Sequence, residues 1–286
     1  MRRVLAVVVT LACVGVVPAS AQTYQQMTSA RRATGEASLA VHVEFAVGHF
    51  GLQAAPAGQL YRADLLYDAD KFTPTVTYDP TTHALEASID GSDNHGDVHY
   101  RNGSRQHLYL ELDPDVPLAL DLKFGAAVAA MDLGGLTLSR AEIQTGASAD
   151  TLRVSSPTKG TCSSFSIKVG AAEFIGDQLG NLQCADFSVE TGIGSVDLDL
   201  SGSWPKGTSR NVRIKAGLAK VRITLPRGLG VRLHEERFLS STDRPGFTKR
   251  GSDYYSTGYD SAAAHLELNV STTMGVMEIR WVGATP

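Results

Sequence analysis

Val212-Arg213-Ile214-Lys215-Ala216-Gly217-Leu218-Ala219-Lys220-Val221-Arg222-Ile223-Thr224-Leu225 is the stretch that decides the fold. Apolar residues precede its glycine by five and three positions (Val212, Ile214) and follow it by four, six and eight (Val221, Ile223, Leu225). Spacing by two on each side is the period of a strand with one buried face. The same phrase surrounds Gly125, Gly146, Gly170 and Gly192, and the five glycines lie 21, 24, 22 and 25 residues apart. Each unit reads as strand, glycine turn, strand. One such unit cannot bury its own apolar face and gains a core only by stacking on its neighbours. The chain is therefore expected to be all-β, a solenoid-like stack of strand–glycine turn–strand repeats. Glycine at each corner admits a positive φ and close backbone approach.

Upstream, Val43, Phe45, Gly48 and Leu52 repeat the phrase 77 residues before Gly125, so something interrupts the array. Tyr61, Ala63, Leu65 and Tyr67 alternate, and Thr75–Tyr78 and Ala84–Ile89 flank the turn-like Asp79-Pro80-Thr81-Thr82. This reads as an antiparallel insertion near the N-terminus. The expected segments are a flexible lead-in at 22–37, an N-terminal β segment with the insertion at 38–116, and a continuous β-repeat segment at 117–286. The unit of Gly170 keeps Phe174 but has Gly176 and Gln178 at the next apolar positions, which predicts a bend or bulge. Pro226 to Ala264 reads as an irregular excursion, and Leu266 to Trp281, with Gly275, as the closing unit.

Residues 1–21 are set apart as a signal peptide. Arg2 and Arg3 start it, Val4 to Val17 is an apolar run, and Ala19-Ser20-Ala21 supplies small residues for cleavage. Leu11-Ala12-Cys13 is a partial lipoprotein box, so a lipid anchor through Cys13 is the alternative. Loss of Arg2 and Arg3 takes the formal charge from −4 to about −6. That acidity argues against nucleic acid, and no later segment reads as a transmembrane span. Of the three cysteines, Cys162 and Cys184 each lie eight residues before a repeat glycine. If each unit is one layer, they sit about 4.8 Å apart and can form a disulfide; if two units make one coil, they lie on opposite walls about 10 Å apart and cannot.

The phrase Val41-His42-Val43-Glu44-Phe45-Ala46-Val47-Gly48-His49-Phe50-Gly51-Leu52, the unit quoted first, and the run from Gly246-Phe247 through Tyr255, Ser256, Gly258 and Tyr259 together resemble one family. It is the LiaF-like toast-rack domain family of bacterial cell-envelope proteins, related to a group of candidate adhesins. The resemblance implies a β-stacked fold at the envelope, a role in sensing, scaffolding or adhesion, and no catalytic residues to carry over. LiaF-type proteins have membrane-spanning helices before the domain. Here a cleavable leader stands in that place, which weighs against direct control of a membrane kinase.

Chemistry is hard to find. Asp93, His95, Asp97, His99 and His107 crowd a polar stretch, but they are ordinary loop residues and no metal is assigned to them. Asp90 to Asp97 is not a calcium loop, because its glycine is at the seventh position and Arg101 replaces the terminal glutamate. There is no G-x-S-x-G elbow, and Asp197 and Asp199 alternate with buried positions as a solvated strand face would. No cofactor is expected. Tyr254, Tyr255 and Tyr259 form either a recognition surface or a cap over the last strand edge. The sequence thus points to a non-enzymatic, periplasmic or secreted envelope protein, a scaffold or stress-sensing module whose partner is another envelope protein. A secreted adhesin or a module binding a cell-surface glycan is the alternative, and a polysaccharide hydrolase or lyase ranks third.

Overall fold

The computed structural model describes residues 23–91 and 105–283. The expected leader with Cys13, and Asp93, His95, Asp97 and His99, lie outside those residues. The strands, in chain order, are β1 (Tyr24–Arg32), β2 (Leu39–Ala54), β3 (Gln59–Asp68), β4 (Phe72–Asp79), β5 (Ala84–Gly91), β6 (His107–Leu112), β7 (Leu118–Asp132) and β8 (Leu138–Thr145). There follow β9 (Ala149–Arg153), β10 (Cys162–Asp177), β11 (Cys184–Asp199), β12 (Ser209–Pro226), β13 (Gly230–Asp243), β14 (Phe247–Arg250), β15 (Asp253–Ser256) and β16 (His265–Val282). The protein is all-β, with its repeats hydrogen-bonded in parallel in the order β2-β7-β8-β10-β11-β12-β16-β13.

Period-two burial makes these strands, and a change of parity bends them. In β12, Val212, Ile214 and Ala216 are buried before the glycine, and Ala219, Val221, Ile223 and Leu225 after it. Two successive outward residues, Gly217 and Leu218, mark the corner. The bend is visible in β2, where the rings of Phe45 and Phe50 lie 6.3 Å apart. In a straight strand, residues five apart would be separated by about 16 Å and point to opposite faces. Both halves of each long strand therefore line one core.

The repeat glycine is not a break in the strand. β7, β10, β11 and β12 run through it, and none of Gly125, Gly146, Gly170, Gly192 and Gly217 has a positive φ. What requires glycine is proximity. A Cβ on Gly125 would lie 2.5 Å from the Ala46 carbonyl oxygen, and on Gly146, Gly170, Gly192 and Gly217 it would lie 2.9, 3.0, 2.8 and 2.6 Å from the oxygen of the preceding glycine. Gly48 and Gly275 belong to a different position, two residues further along. Gly48 pairs with Ala127 and Gly275 with Ala219, so Ala46 and Thr273 occupy the corner in their strands. At this second position a positive φ does occur, 122° at Gly48 and 135° at Gly275.

Three further expectations are corrected. The lead-in expected at 22–37 is not free over Tyr24–Arg32, where β1 pairs antiparallel with β3. Pro226 to Ala264 is not wholly irregular: β13 is a full parallel strand against β16, which lies between β12 and β13. Register between β10 and β11 runs unbroken from Ala171 to Gly176, without a bulge. There Leu179, in a 3₁₀ turn (Leu179–Asn181), packs where a side chain on Gly176 would stand, within 2.6 Å of its Cβ position. The insertion has antiparallel pairs (β1–β3, β3–β6, β4–β5), yet β5 and β6 also pair in parallel with the two halves of β2. Cys162 and Cys184 are register partners joined by a disulfide, Cα–Cα 4.4 Å.

Candidate functional site

Stacked corners convert sequence positions into rows. The corner glycines line up as a floor of backbone from Gly146 to Gly217, continued by Thr273 and ended by Phe238 on β13. Two residues before each corner runs a polar row, Gln144, Lys168, Glu190, Lys215, Ser271 and Glu236. Floor and polar row together bound an open groove of about 630 Å³. Lys168 reaches Glu142 at 2.7 Å, and that hydrogen bond holds the Glu142 carboxyl below its ordinary range. Lys215 reaches Glu190 at 3.2 Å.

One residue after each corner stands an apolar ridge. Ala171, Ile193, Leu218, Met274 and Leu239 are successive register partners across five strands. Ile193 is 58% exposed, Leu218 51%, Met274 43%, Leu239 60%, and Phe238 beside it 77%. On β10, β11 and β12 small residues flank the ridge on both sides, the corner glycines and then Ala172, Gly194 and Ala219, so its side chains there stand clear of the sheet. The signal was present in the sequence as bulky residues directly after Gly192 and Gly217. Its extension onto Met274, Phe238 and Leu239 depended on recognising β13 and the corner at Thr273.

The predicted tyrosines lie elsewhere, Tyr254 and Tyr255 on the hairpin β14–β15 that follows β13 and Tyr259 in a 3₁₀ turn (Tyr259–Ser261) just after it. Tyr254 and Tyr255 pair with Leu233 and Arg232, so the hairpin covers the first part of the β13 edge. Arg244 lies over the Tyr254 ring at 3.9 Å, and Tyr259 meets both Tyr255 and His265 edge-on at 4.9 Å. All three tyrosines are half-buried among these partners. Asp253 anchors the hairpin, accepting hydrogen bonds from His234 Nδ1 at 2.8 Å and Arg232 Nε at 3.0 Å. The bond to Asp253 raises the His234 pKa, and the bonds from His234 and then Arg232 lower that of Asp253. Nearby, Trp281 walls a pocket of about 450 Å³ with Arg227, Gly246 and Ser261. Its indole donates to the Pro245 carbonyl at 2.7 Å and packs on Phe247.

Three other titratable groups are held by internal partners. Asp150 is buried beside the corner of β9, takes hydrogen bonds from Ser148 Oγ and the Ala129 amide, and has its pKa raised by burial. Arg210 is buried with its guanidinium on the Gly180 carbonyl at 2.7 Å and over Trp204 at 4.6 Å. Asp197 is engaged by Arg222. Among the described residues no three His, Cys, Asp or Glu side chains gather as a metal site, and no helix is long and apolar enough to cross a membrane.

Residues 18–175 match the family model described as the N-terminal domain of toast_rack, and residues 174–279 the one described as the C-terminal domain of LiaF, cell wall-active antibiotics response. No curated protein matches the chain. A solved structure of a candidate cell adhesion protein from Clostridium sporogenes is 18% identical, with 91% of this chain and 100% of that one covered and a TM-score of 0.45. A candidate adhesin from Bacteroides fragilis is 8% identical, with 94% and 100% covered and a TM-score of 0.39.

Proposed function

Because this chain belongs to the toast-rack family, we propose that it is an exported, non-enzymatic module of the bacterial cell envelope that works through surface contacts, as a scaffold or stress sensor. The observation that carries the reading is the apolar ridge. A row of bulky side chains about half exposed to solvent runs unbroken across four neighbouring strands, beside outward positions that carry paired charges such as Lys168–Glu142 and Lys123–Glu44. Contiguous exposed apolar surface marks an interaction site. The C-terminal match, to a domain named for its response to cell wall-active antibiotics, supports a contact made at the envelope. The signal peptide reading of residues 1–21 agrees, placing the protein in the periplasm or outside the cell.

The test is in-cell cross-linking from a photoreactive residue at 218, with position 86, outward on β5, as the control, and mass spectrometry of what is captured. Capture from 218 that is absent from 86 is expected. Equal yields at both positions, or none at either, would sink the reading.

The Trp281 pocket supports a second reading, an adhesin or glycan-binding module. An indole face beside glycine backbone and hydroxyls is a surface on which a sugar ring can stack. Retention on isolated cell-wall material, displaced by free sugar and lost in Trp281→Ala, is expected under that reading. A wild-type chain that is not retained excludes it.

A further inference from the structure

The ridge is graded along the stack. Ala147, between β8 and β9, and Ala171 on β10 stand at one end, Ile193 and Leu218 in the middle, and Met274, Leu239 and the adjacent Phe238 at the β16 and β13 end. It is a wedge, low at one end and tall at the other. We propose that its occupant is a second copy of this chain, laid ridge against ridge about a two-fold axis parallel to the strands and passing between β11 and β12. This rests on the reading of the ridge as a contact surface.

Such an axis reverses the order of strands and keeps each row facing its own counterpart. Ile193 of one copy then meets Leu218 of the other, and the contact occurs twice. Met274 faces Ala171, and Leu239 faces Ala147, so tall meets low and the two wedges make a layer of even thickness. Phe238 comes over Gly146, on the glycine floor where there is no side chain. The polar row obeys the same operator. Glu190 faces Lys215 and Lys215 faces Glu190, Lys168 faces Ser271, and Gln144 faces Glu236, so no like charges meet. Shifting the axis by half a strand, onto β12, would set Lys215 against Lys215, leave Glu190 facing the uncharged Ser271 and bring Leu218 onto its own copy, although Lys168 would then gain Glu236. The two-fold between β11 and β12 is thus the one of the two without a like-charge contact, and self-complementarity is what an isologous interface requires.

The contact is narrow. Six strands span about 24 Å, five spacings of about 4.8 Å, which places the dimer at the weak end of specific interfaces. Sedimentation equilibrium of the mature chain is expected to show a reversible monomer–dimer system with a Kd on the order of 10–100 μM. Leu218→Glu, on an exposed side chain, is expected to weaken it at least tenfold. Glu190→Lys should also weaken it, and Glu190→Lys with Lys215→Glu should restore it.

Register is tested by Ala171→Cys with Met274→Cys. Within one chain these positions are three strands apart, about 14 Å, too far for a disulfide. Between copies they face each other. Mild oxidation is expected to give a covalent dimer with the double variant and with neither single variant. A chain that is monomeric to about 0.5 mM, a dimer indifferent to Leu218→Glu, or a double variant that fails to cross-link each overturns the proposal. If the monomeric chain still cross-links in cells from residue 218 to a different envelope molecule, the contact-surface reading stands and the second copy is not the occupant.

Discussion

Gly217→Ala adds one methyl group at a place where the structure leaves no room for it. The new Cβ would lie 2.6 Å from the Gly192 carbonyl oxygen, against a comfortable separation of roughly 3.5 Å. The obstacle is backbone, so β11 and β12 must part by up to about 0.9 Å at the corner. Equivalent oxygens three and two layers earlier accept the next strand's amide, Ala147 N to Gly125 O at 3.1 Å and Ala171 N to Gly146 O at 3.0 Å. Lengthening such a bond by that amount takes it beyond hydrogen-bonding range. One lost bond costs about 1 kcal/mol, and overpacking the corner costs about 1–3 kcal/mol. Alanine recovers about 0.4–1 kcal/mol by restricting the unfolded chain. The net expectation is a loss of about 2 kcal/mol. Gly170→Ala, whose Cβ would lie 3.0 Å from the Gly146 oxygen, needs about half that movement and should cost less than about 1 kcal/mol. Urea denaturation of the mature chain, followed by tryptophan fluorescence, compares the two on one scale. Equal losses, or a larger loss at Gly170, would falsify the close-approach account.

Reducing the Cys162–Cys184 disulfide, which closes a loop of 22 residues, should cost about 3 kcal/mol on the chain-entropy account, seen as a lower denaturation midpoint with reductant and no change in the Cys162→Ala/Cys184→Ala variant. His234 has its pKa raised by Asp253, so its contribution is fully present below the unfolded value of 6.5 and is lost as pH rises through the folded one. The midpoint should therefore fall between pH 6 and pH 8 by more in the wild type than in His234→Gln; equal falls would show that the pair is irrelevant. Asp150 has its pKa raised by burial, so protonation favours the folded state below the unfolded value of 3.8 and ionisation disfavours it above the folded one. Asp150→Asn, which keeps an acceptor for the Ala129 amide, should raise the midpoint at pH 7, and a fall would mean that the charge itself is needed.

Much of this arrangement was legible because inward positions repeat with period two on both sides of each corner. Leu120 and Leu122, Phe165 and Ile167, Phe187 and Val189 predicted the facing strands. The same period explains an error. Sliding a strand by two residues preserves its alternation, so Gly48 and Gly275 matched the phrase while sitting two residues past the corner. β13 was missed for a different reason. After Leu233 its inward positions carry Glu235, Arg237, Ser240 and Thr242, with Phe238 at the corner, which erases the apolar signal. Those polar residues end the core: Glu235 pairs with Arg244 at 3.3 Å, and Ser240 bonds Thr272 at 2.7 Å. The ridge was hidden because it depends on which strand neighbours which. Nothing local indicates that β16, last in the chain, lies between β12 and β13.

That interleaving fixes a schedule. A chain that emerges N-terminus first releases β12, then β13 and its hairpin, while the slot between them is still empty. The hairpin covers one edge of β13, but on the other edge Val231 and Leu233 have no strand to lie against until His265–Val282 arrives. Assembly therefore cannot proceed like a zip from one end. The final eighteen-residue strand acts as a keystone: it seats the cap, closes the core and, by placing Met274 between Leu218 and Leu239, completes the exposed ridge in the same step. An unfinished or trimmed molecule is thereby denied the complete apolar ridge of a finished one.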